Sequence, residues 1–273
     1  MEQIVTTKMP ESFQQILGVR FFTGDLPSLV QLTKGGGLVV VPSAPVLVDL
    51  NSDEAHREAL ENSDLALADS GFMVLLWRII RRQRLPRISG LRYLRALLPE
   101  PELHQPNATF WIMPSIADAG ANRTWLKEQG LEVRSGDCYI APIYPSGFIE
   151  DPILLALLEN AKPRYIFINL GGGVQERLGY YLRRHLSAFA ENRPDEEPIF
   201  SQPIRPAIIC TGAAIAFLSG QQANIPPWAD RLVLGWLMRT IQDPKRFVPR
   251  YVRALRLVPL LLEHGTRGIG SAK

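Results

Sequence analysis

A carboxylate, a run of three glycines and two hydroxyl-bearing turns are the residues of this 273-residue chain whose types and placement could do chemistry. Asp69, in Asp69-Ser70-Gly71, ends the apolar run Leu65–Ala68, where a carboxylate could take the proton from an attacking hydroxyl. The same position suits a helix N-cap, a role Asp often fills, and residue type alone leaves both readings open. Gly171-Gly172-Gly173 follows the apolar stretch Pro163–Leu170. Glycines there let backbone N–H groups approach a diphosphate at a helix N-terminus, although tight strand-to-helix turns use glycine for steric reasons too. Gln175 and Glu176 fall in the first turn of the following helix, as contacts or as ordinary helical residues. Thr211-Gly212 ends Ala207–Cys210, and Ser43 sits in the turn Pro42–Pro45 after Leu38–Val41.

The elements that must position these residues alternate. Strand-like runs are expected at Ile16–Phe22, Leu38–Val41, Leu65–Ala68, Thr109–Met113, Leu131–Val133, Pro163–Leu170 and Ala207–Cys210. Helical patterns are expected from Asp25 or Ser28, over Asn51–Asn62, Phe72–Arg82, Leu91–Leu98, Ala117–Gln129, Ile153–Asn160, Val174–Ala190 and from Ala213. Strands alternating with helices predict an α/β fold, a Rossmann-like, doubly wound and mostly parallel sheet. In such sheets ligands bind beyond the carboxyl ends of the strands, where the turns at Pro42–Pro45, Asp69–Gly71, Gly171–Gln175 and Thr211–Ala214 would emerge together. After Gly220 the pattern changes, with Pro226-Pro227-Trp228, a helix-like Arg231–Ile241, an interruption at Pro244 and a basic, apolar stretch to Leu262. The expected division is a core over 1–222 and a C-terminal helical appendage over 223–273.

The hydrophobic content of 46% is enough for a full core. No apolar run approaches the roughly 20 residues of a membrane-crossing helix, and Met1–Pro10 lacks the basic start and apolar block of a secretory signal. A cytoplasmic location is expected. Cys138 and Cys210 have no metal-ligand spacing and suit reduced, structural thiols, and without an Asp-x-Asp pair no metal is expected. The net charge of +3 is uneven: Arg231, Arg239, Lys245, Arg246, Arg250, Arg253, Arg256, Arg267 and Lys273 crowd the tail. Interleaved with Phe247, Val248, Tyr251 and leucines, they fit either a segment lying in a lipid headgroup layer or a packed helix with a wet basic face. Charge confined to one end argues against a nucleic-acid partner. A dehydrogenase or methyltransferase would carry its glycine fingerprint after the first strand, whereas Gly35-Gly36-Gly37 precedes a strand.

Taken in order, Ile16-Leu17-Gly18-Val19-Arg20, the spaced run Ala59–Asp69, Arg87–Gly90, Gly171–Glu176 and the closing series Trp228, Arg231-Leu232, Gly235-Trp236-Leu237, Arg239, Asp243-Pro244, Arg246 and Tyr251 resemble the blocks of the WecG/TagA/CpsF glycosyltransferase family, from Ile16 to about Leu262. The resemblance implies an inverting, metal-independent transfer of a hexose or N-acetylhexosamine from a nucleotide sugar, typically UDP-linked and a substrate rather than a cofactor. The implied acceptor is a polyprenyl-diphosphate-linked saccharide at the inner membrane surface, in bacterial cell-surface polysaccharide synthesis. It further implies that Asp69 is the base, that Arg87 grips a phosphate or the leaving group, and that Gln175 contacts sugar or phosphate with Glu176 as its partner. Ser43, Gly71, Gly171, Gly172, Gly173, Thr211 and Gly212 would line the substrate crevice, and Arg231, Arg239, Arg246, Arg250 and Arg253 would meet membrane or carrier phosphates. Oligomeric state is left open, a homo-oligomer included.

The chain departs from the family pattern at several of these places. Asp-Gly becomes Asp69-Ser70-Gly71, Thr and Asn of the first strand end become Val41 and Ser43, a glycine pair becomes Met113-Pro114, and Pro-Lys before Gln-Glu becomes Gly173-Val174. Polar pockets discriminate by the partners they offer, so these changes point to a sugar other than N-acetylmannosamine, or to a nucleotide-sugar-binding protein of the same fold that has lost activity.

Overall fold

The computed structural model describes residues 13–186, 205–221 and 244–269, and within them the alternation of strands and helices is as expected. Strands β1 (Phe13–Ile16), β2 (Val19–Phe22), β3 (Gly37–Val40), β4 (Leu65–Ala66), β5 (Thr109–Met113), β6 (Cys138–Ile140), β7 (Tyr165–Ile168) and β8 (Ala207–Cys210) form one sheet, ordered β1-β2-β4-β3-β8-β7-β5-β6. Every neighbouring pair is parallel except β1 with β2.

Both faces are covered, so strands that read as continuous apolar runs still divide their side chains with a period of two. Leu38, Val40, Ile166 and Ile168 belong to one core cluster, with side chains of α2 (Ala44–Val48), α3 (Glu54–Glu61), α4 (Gly71–Arg81), α7 (Pro152–Ala161) and α8 (Val174–His185). Val39, Tyr165, Phe167 and Ile209 face α1 (Leu26–Lys34), α5 (Gly90–Leu97), α6 (Ile116–Glu128) and α9 (Ala214–Leu218). Trp111 and Phe167, register partners on β5 and β7, stack with ring centroids 4.1 Å apart on that second face.

Two features open a crevice at the carboxyl edge. After β3 the chain turns to one face, after its neighbour β8 to the other, the switch point at which doubly wound sheets bind ligands. Between α4 and α5 the chain also changes face, so residues 82–89 cross the edge beside β3 and β4. Helix starts are well signalled: Asp25, Asp53, Ser70, Ser89, Ser115 and Asp151 each accept a backbone N–H from the first turn.

Two expectations are corrected. The single strand at Ile16–Phe22 is the turn and second arm of a hairpin, reversed at Leu17 and Gly18, whose φ values of 52° and 83° meet the twist requirement of a two-residue turn. Leu131–Val133 is no strand, although Leu131 and Val133 are buried. Leu131 N–H returns to Leu126 O to close α6, and Val133 O accepts from Arg123 Nε, leaving β6 to form later. Pro244, where an interruption is expected, opens α10 (Pro244–Ala254), a position where its missing N–H costs nothing.

The described C-terminal helices pack on the sheet-bearing body. α10 and α11 (Leu257–Glu263) pack on α2 and α4, and Ala254, Leu257, Leu261 and Ile269 join the first core cluster. The helix expected at Arg231–Ile241, with Arg231 and Arg239, lies outside the described residues.

Candidate active site

Asp69 lies three residues past the end of β4 and one residue before the cap of α4. The N-cap is Ser70, whose Oγ accepts from Met73 N–H at 3.3 Å, so the inserted serine does the capping and Asp69 does not. The Asp69 carboxylate instead accepts from Gly90 N–H at 3.3 Å, at the positive end of α5, 21 residues away in sequence. Arg87 Nε donates to the Asp69 carbonyl at 2.7 Å, so the crossing segment 82–89 delivers a guanidinium to the side of the carboxylate. Gly71 is the first residue of α4.

Gly90 ties this corner to the neighbouring strand ends. A Cβ placed on it would come within 3.3 Å of Val41 and 3.7 Å of the Thr211 carbonyl, so β3 and β8 end against the start of α5. Ser43 is the N-cap residue of α2, its carbonyl accepting from Val46 and Leu47 N–H. A Cβ on Gly212 would lie 3.5 Å from Gln175 Oε1 and 3.4 Å from Leu170 O, which joins the ends of β7 and β8 to the first turn of α8.

At α8 the expected partnership is present. Gln175 Nε2 donates to Glu176 Oε1 at 3.0 Å, and Glu176 Oε2 accepts from Gly173 N–H at 2.5 Å. Glu176 is fully buried, so the last amide of the glycine run already serves a carboxylate. That negative charge disfavours a diphosphate at this amide, while Gly171 and Gly172 stay exposed. Arg177 secures the turn from below, its Nε on Gly173 O and Nη1 on Pro145 O, both at 3.0 Å, and on Gly147 O.

Asp69, Arg87, Ser43, Gly71, Gly171, Gly172, Gly173, Gln175, Glu176, Thr211 and Gly212 thus lie along one edge, linked through Gly90 and Gly212. Arg253 pairs with Asp49, Arg246 and Arg250 belong to α10, and Arg231 and Arg239 are outside the described residues. Of the departures, Met113 is fully buried, its sulphur facing the amides of Asn122 and Asn169, and Pro114 is exposed. Both cysteines are free thiols. Burial pushes the half-buried Cys138 up to about 11.

Asn169, just past the end of β7, is the residue that reading the sequence for function passes over. Its signal was an amide closing an otherwise apolar strand. Arg177 was equally hidden, since its partners are backbone carbonyls about thirty residues away.

A doubly wound α/β protein with a carboxylate, an arginine and buried amides at its switch point is of the class that binds and transforms a small polar ligand. The family model described as Glycosyl transferase WecG/TagA/CpsF family matches residues 14–269, and the chain belongs to that family. It is therefore a glycosyltransferase of cell-surface polysaccharide synthesis, a family role that implies a nucleotide-sugar donor and a lipid-linked acceptor. No curated protein is similar enough to the chain to be matched to it. Among the described residues no helix is long and apolar enough to cross a membrane.

Proposed function

We propose that the chain is an inverting, metal-independent hexosyltransferase that moves a hexose or N-acetylhexosamine from a UDP sugar to a polyprenyl-diphosphate-linked saccharide. The observation that carries the reading is the Asp69 carboxylate, released from capping by Ser70 and held at the start of α5 beside Arg87. Asp69 takes the proton of the acceptor hydroxyl as that oxygen bonds to the anomeric carbon. The bond from that carbon to the diphosphate oxygen breaks on the opposite side, which inverts the centre and leaves the electron pair on the nucleoside diphosphate. Arg87, a fork of donors, stabilises the departing charge.

The protein works from the cytoplasmic side, bound peripherally. Supporting this, Leu75 and Ile79 of α4 and Val252, Leu255 and Leu262 of the C-terminal helices are exposed among Arg78, Arg82, Lys245 and Arg256. Exposed apolar side chains interleaved along the helices with cations suit an anionic headgroup layer.

The test is transfer by the purified chain from a panel of nucleotide sugars to a short lipid-diphosphate saccharide, scored by mass spectrometry, with Asp69→Asn beside it. Product that disappears in Asp69→Asn supports the enzyme and names its donor. Donor binding without any turnover transfers the reading to a binding protein of the same fold.

A further inference from the structure

Asn169, Gln175 and Thr211 are 6%, 3% and 7% exposed, yet one oxygen of each, Asn169 Oδ1, Gln175 Oε1 and Thr211 Oγ1, has no hydrogen-bond partner among the described residues. Buried polar atoms are nearly always paired, so three unpaired oxygens at two adjoining strand ends and the first turn of α8 require a cause. They adjoin because Ile168 and Cys210 are register partners, which makes Asn169 and Thr211 the next residues along neighbouring strands. Gly212 then stands against the Gln175 amide.

The identity of the unpaired atoms is set by their own side chains. Asn169 Nδ2 faces only acceptors, Ile112 O at 3.4 Å, Phe167 O at 3.5 Å and Met113 Sδ at 3.6 Å. Gln175 Nε2 is taken by Glu176. With both nitrogens occupied, both amides present oxygen, and a carbonyl oxygen accepts only. Beside them lies the buried Glu176 carboxylate, itself an acceptor when ionised. A phosphate, anionic and acceptor-rich, is a poor match for this corner. A ring bearing several O–H groups is a good one.

We infer that Asn169 and Thr211, together with Gln175, form a hydroxyl-binding subsite for the transferred sugar, and that Asn169 is a specificity-determining residue that selects a hydroxyl at its position. This rests on the transferase reading. It divides the crevice chemically, with the sugar ring at the ends of β7 and β8 and the diphosphate towards Arg87.

Calorimetric binding of UDP, UDP-glucose and UDP-N-acetylmannosamine to the full chain, Thr211→Val and Asn169→Ala, with melting curves for all three, tests it. In both variants UDP is expected to bind as in the parent, while the preferred UDP sugar binds about 3- to 10-fold more weakly, the effect of one lost hydrogen bond. Thr211→Val, which replaces an unpaired hydroxyl by a methyl of the same shape, is expected to melt no lower than the parent. UDP-sugar affinity unchanged in both variants, or weakened equally with UDP, overturns the inference. So does a Thr211→Val melting point lower by several degrees, since the hydroxyl then has a partner in the unliganded protein. A parent that binds none of the three ligands defeats the transferase reading instead. The Thr211→Val melting curve still decides whether that oxygen is unpaired.

Discussion

The two edges of the sheet use polar groups in opposite ways. At the amino edge charges meet each other. Asp64, just before β4, accepts from Leu38 N–H at 2.7 Å and from Arg183 Nε and Nη2 at 2.6 and 2.8 Å, tying β3, β4 and the end of α8 together. Lys34 at the end of α1 reaches both Glu100 and Glu102 at 2.8 Å. That edge also holds unpaired atoms, Arg164 Nη1, Tyr165 Oη and Glu61 Oε1, but Asp64, Glu100 and Glu102 are each matched by a cation. At the carboxyl edge the carboxylates Asp69 and Glu176 take backbone and amide N–H groups, and neutral oxygens are left over. One edge is built for folding stability. The other leaves neutral oxygens unpaired, those the proposed sugar would satisfy.

Asp69→Asn gives the sharpest test of that division. Loss of a general base lowers rates by roughly 10²- to 10⁴-fold, so kcat is expected to fall at least about 100-fold while the melting temperature moves little. A melting point that fell in step with activity would place Asp69 with the structural carboxylates. Arg87→Lys keeps the charge but removes the planar fork, and kcat/KM is expected to drop about 10- to 100-fold, with the larger share in kcat. If the loss appeared only in KM, Arg87 would be a docking group and not a stabiliser of the leaving diphosphate.

Asp64→Asn should do the reverse, costing about 1–2 kcal/mol of stability for a partly exposed pair and sparing kcat in whatever fraction stays folded. Burial raises the Asp64 pKa, but the Arg183 guanidinium, Leu38 N–H and the charge of Arg205 outweigh it and hold the carboxyl below its ordinary value. A carboxyl lowered by folding stabilises the protein fully above its unfolded pKa, and the contribution disappears as pH falls through the folded value. The stability gap between parent and Asp64→Asn should therefore be full at neutral pH and close in acid, as read from urea denaturation at a series of pH values. A gap independent of pH would remove the ionic contribution.

Smallest of the expected effects is thiol labelling. Cys138 begins β6, and with its thiol pushed up to about 11 it carries little thiolate at pH 8 and should react slowly. Cys210, fully buried at the carboxyl end of β8 with its Sγ donating to Gln175 O at 3.3 Å, should react only on opening, and a saturating UDP sugar should slow it further. Protection of Cys138 in place of Cys210 would move the ligand away from the edge proposed for it.

Much of this was open to reading in one dimension because its causes are local. Buried strands announce themselves as short apolar runs, caps as Asp or Ser ahead of a helical pattern, and the spaced blocks from Ile16 onward as a family. Asp69, Gln175 and the glycine turn could be chosen because each follows such a run directly. The hairpin at Leu17-Gly18 is hidden because its first arm, Phe13-Gln14-Gln15-Ile16, is half polar and the reversal rests on two positive φ values. Leu131 and Val133 misled because burial alternates there without sheet bonding.

Residue types alone could not decide whether Asp69 caps a helix. That depended on Ser70 taking the cap and on Gly90 arriving from 21 residues away. Nor could they show that Asn169 stands beside Thr211, since β7 and β8 become neighbours only through the strand order, or which atom of each amide is left unpaired. The sequence by itself determined the class of fold, the family and the residues brought to one edge. Periodicity and turn chemistry act over a few residues, and a few residues are legible. Which polar atoms meet, and which stay unpaired, the tertiary structure decided, because hydrogen bonding is a matter of ångströms between segments that the chain keeps tens of residues apart.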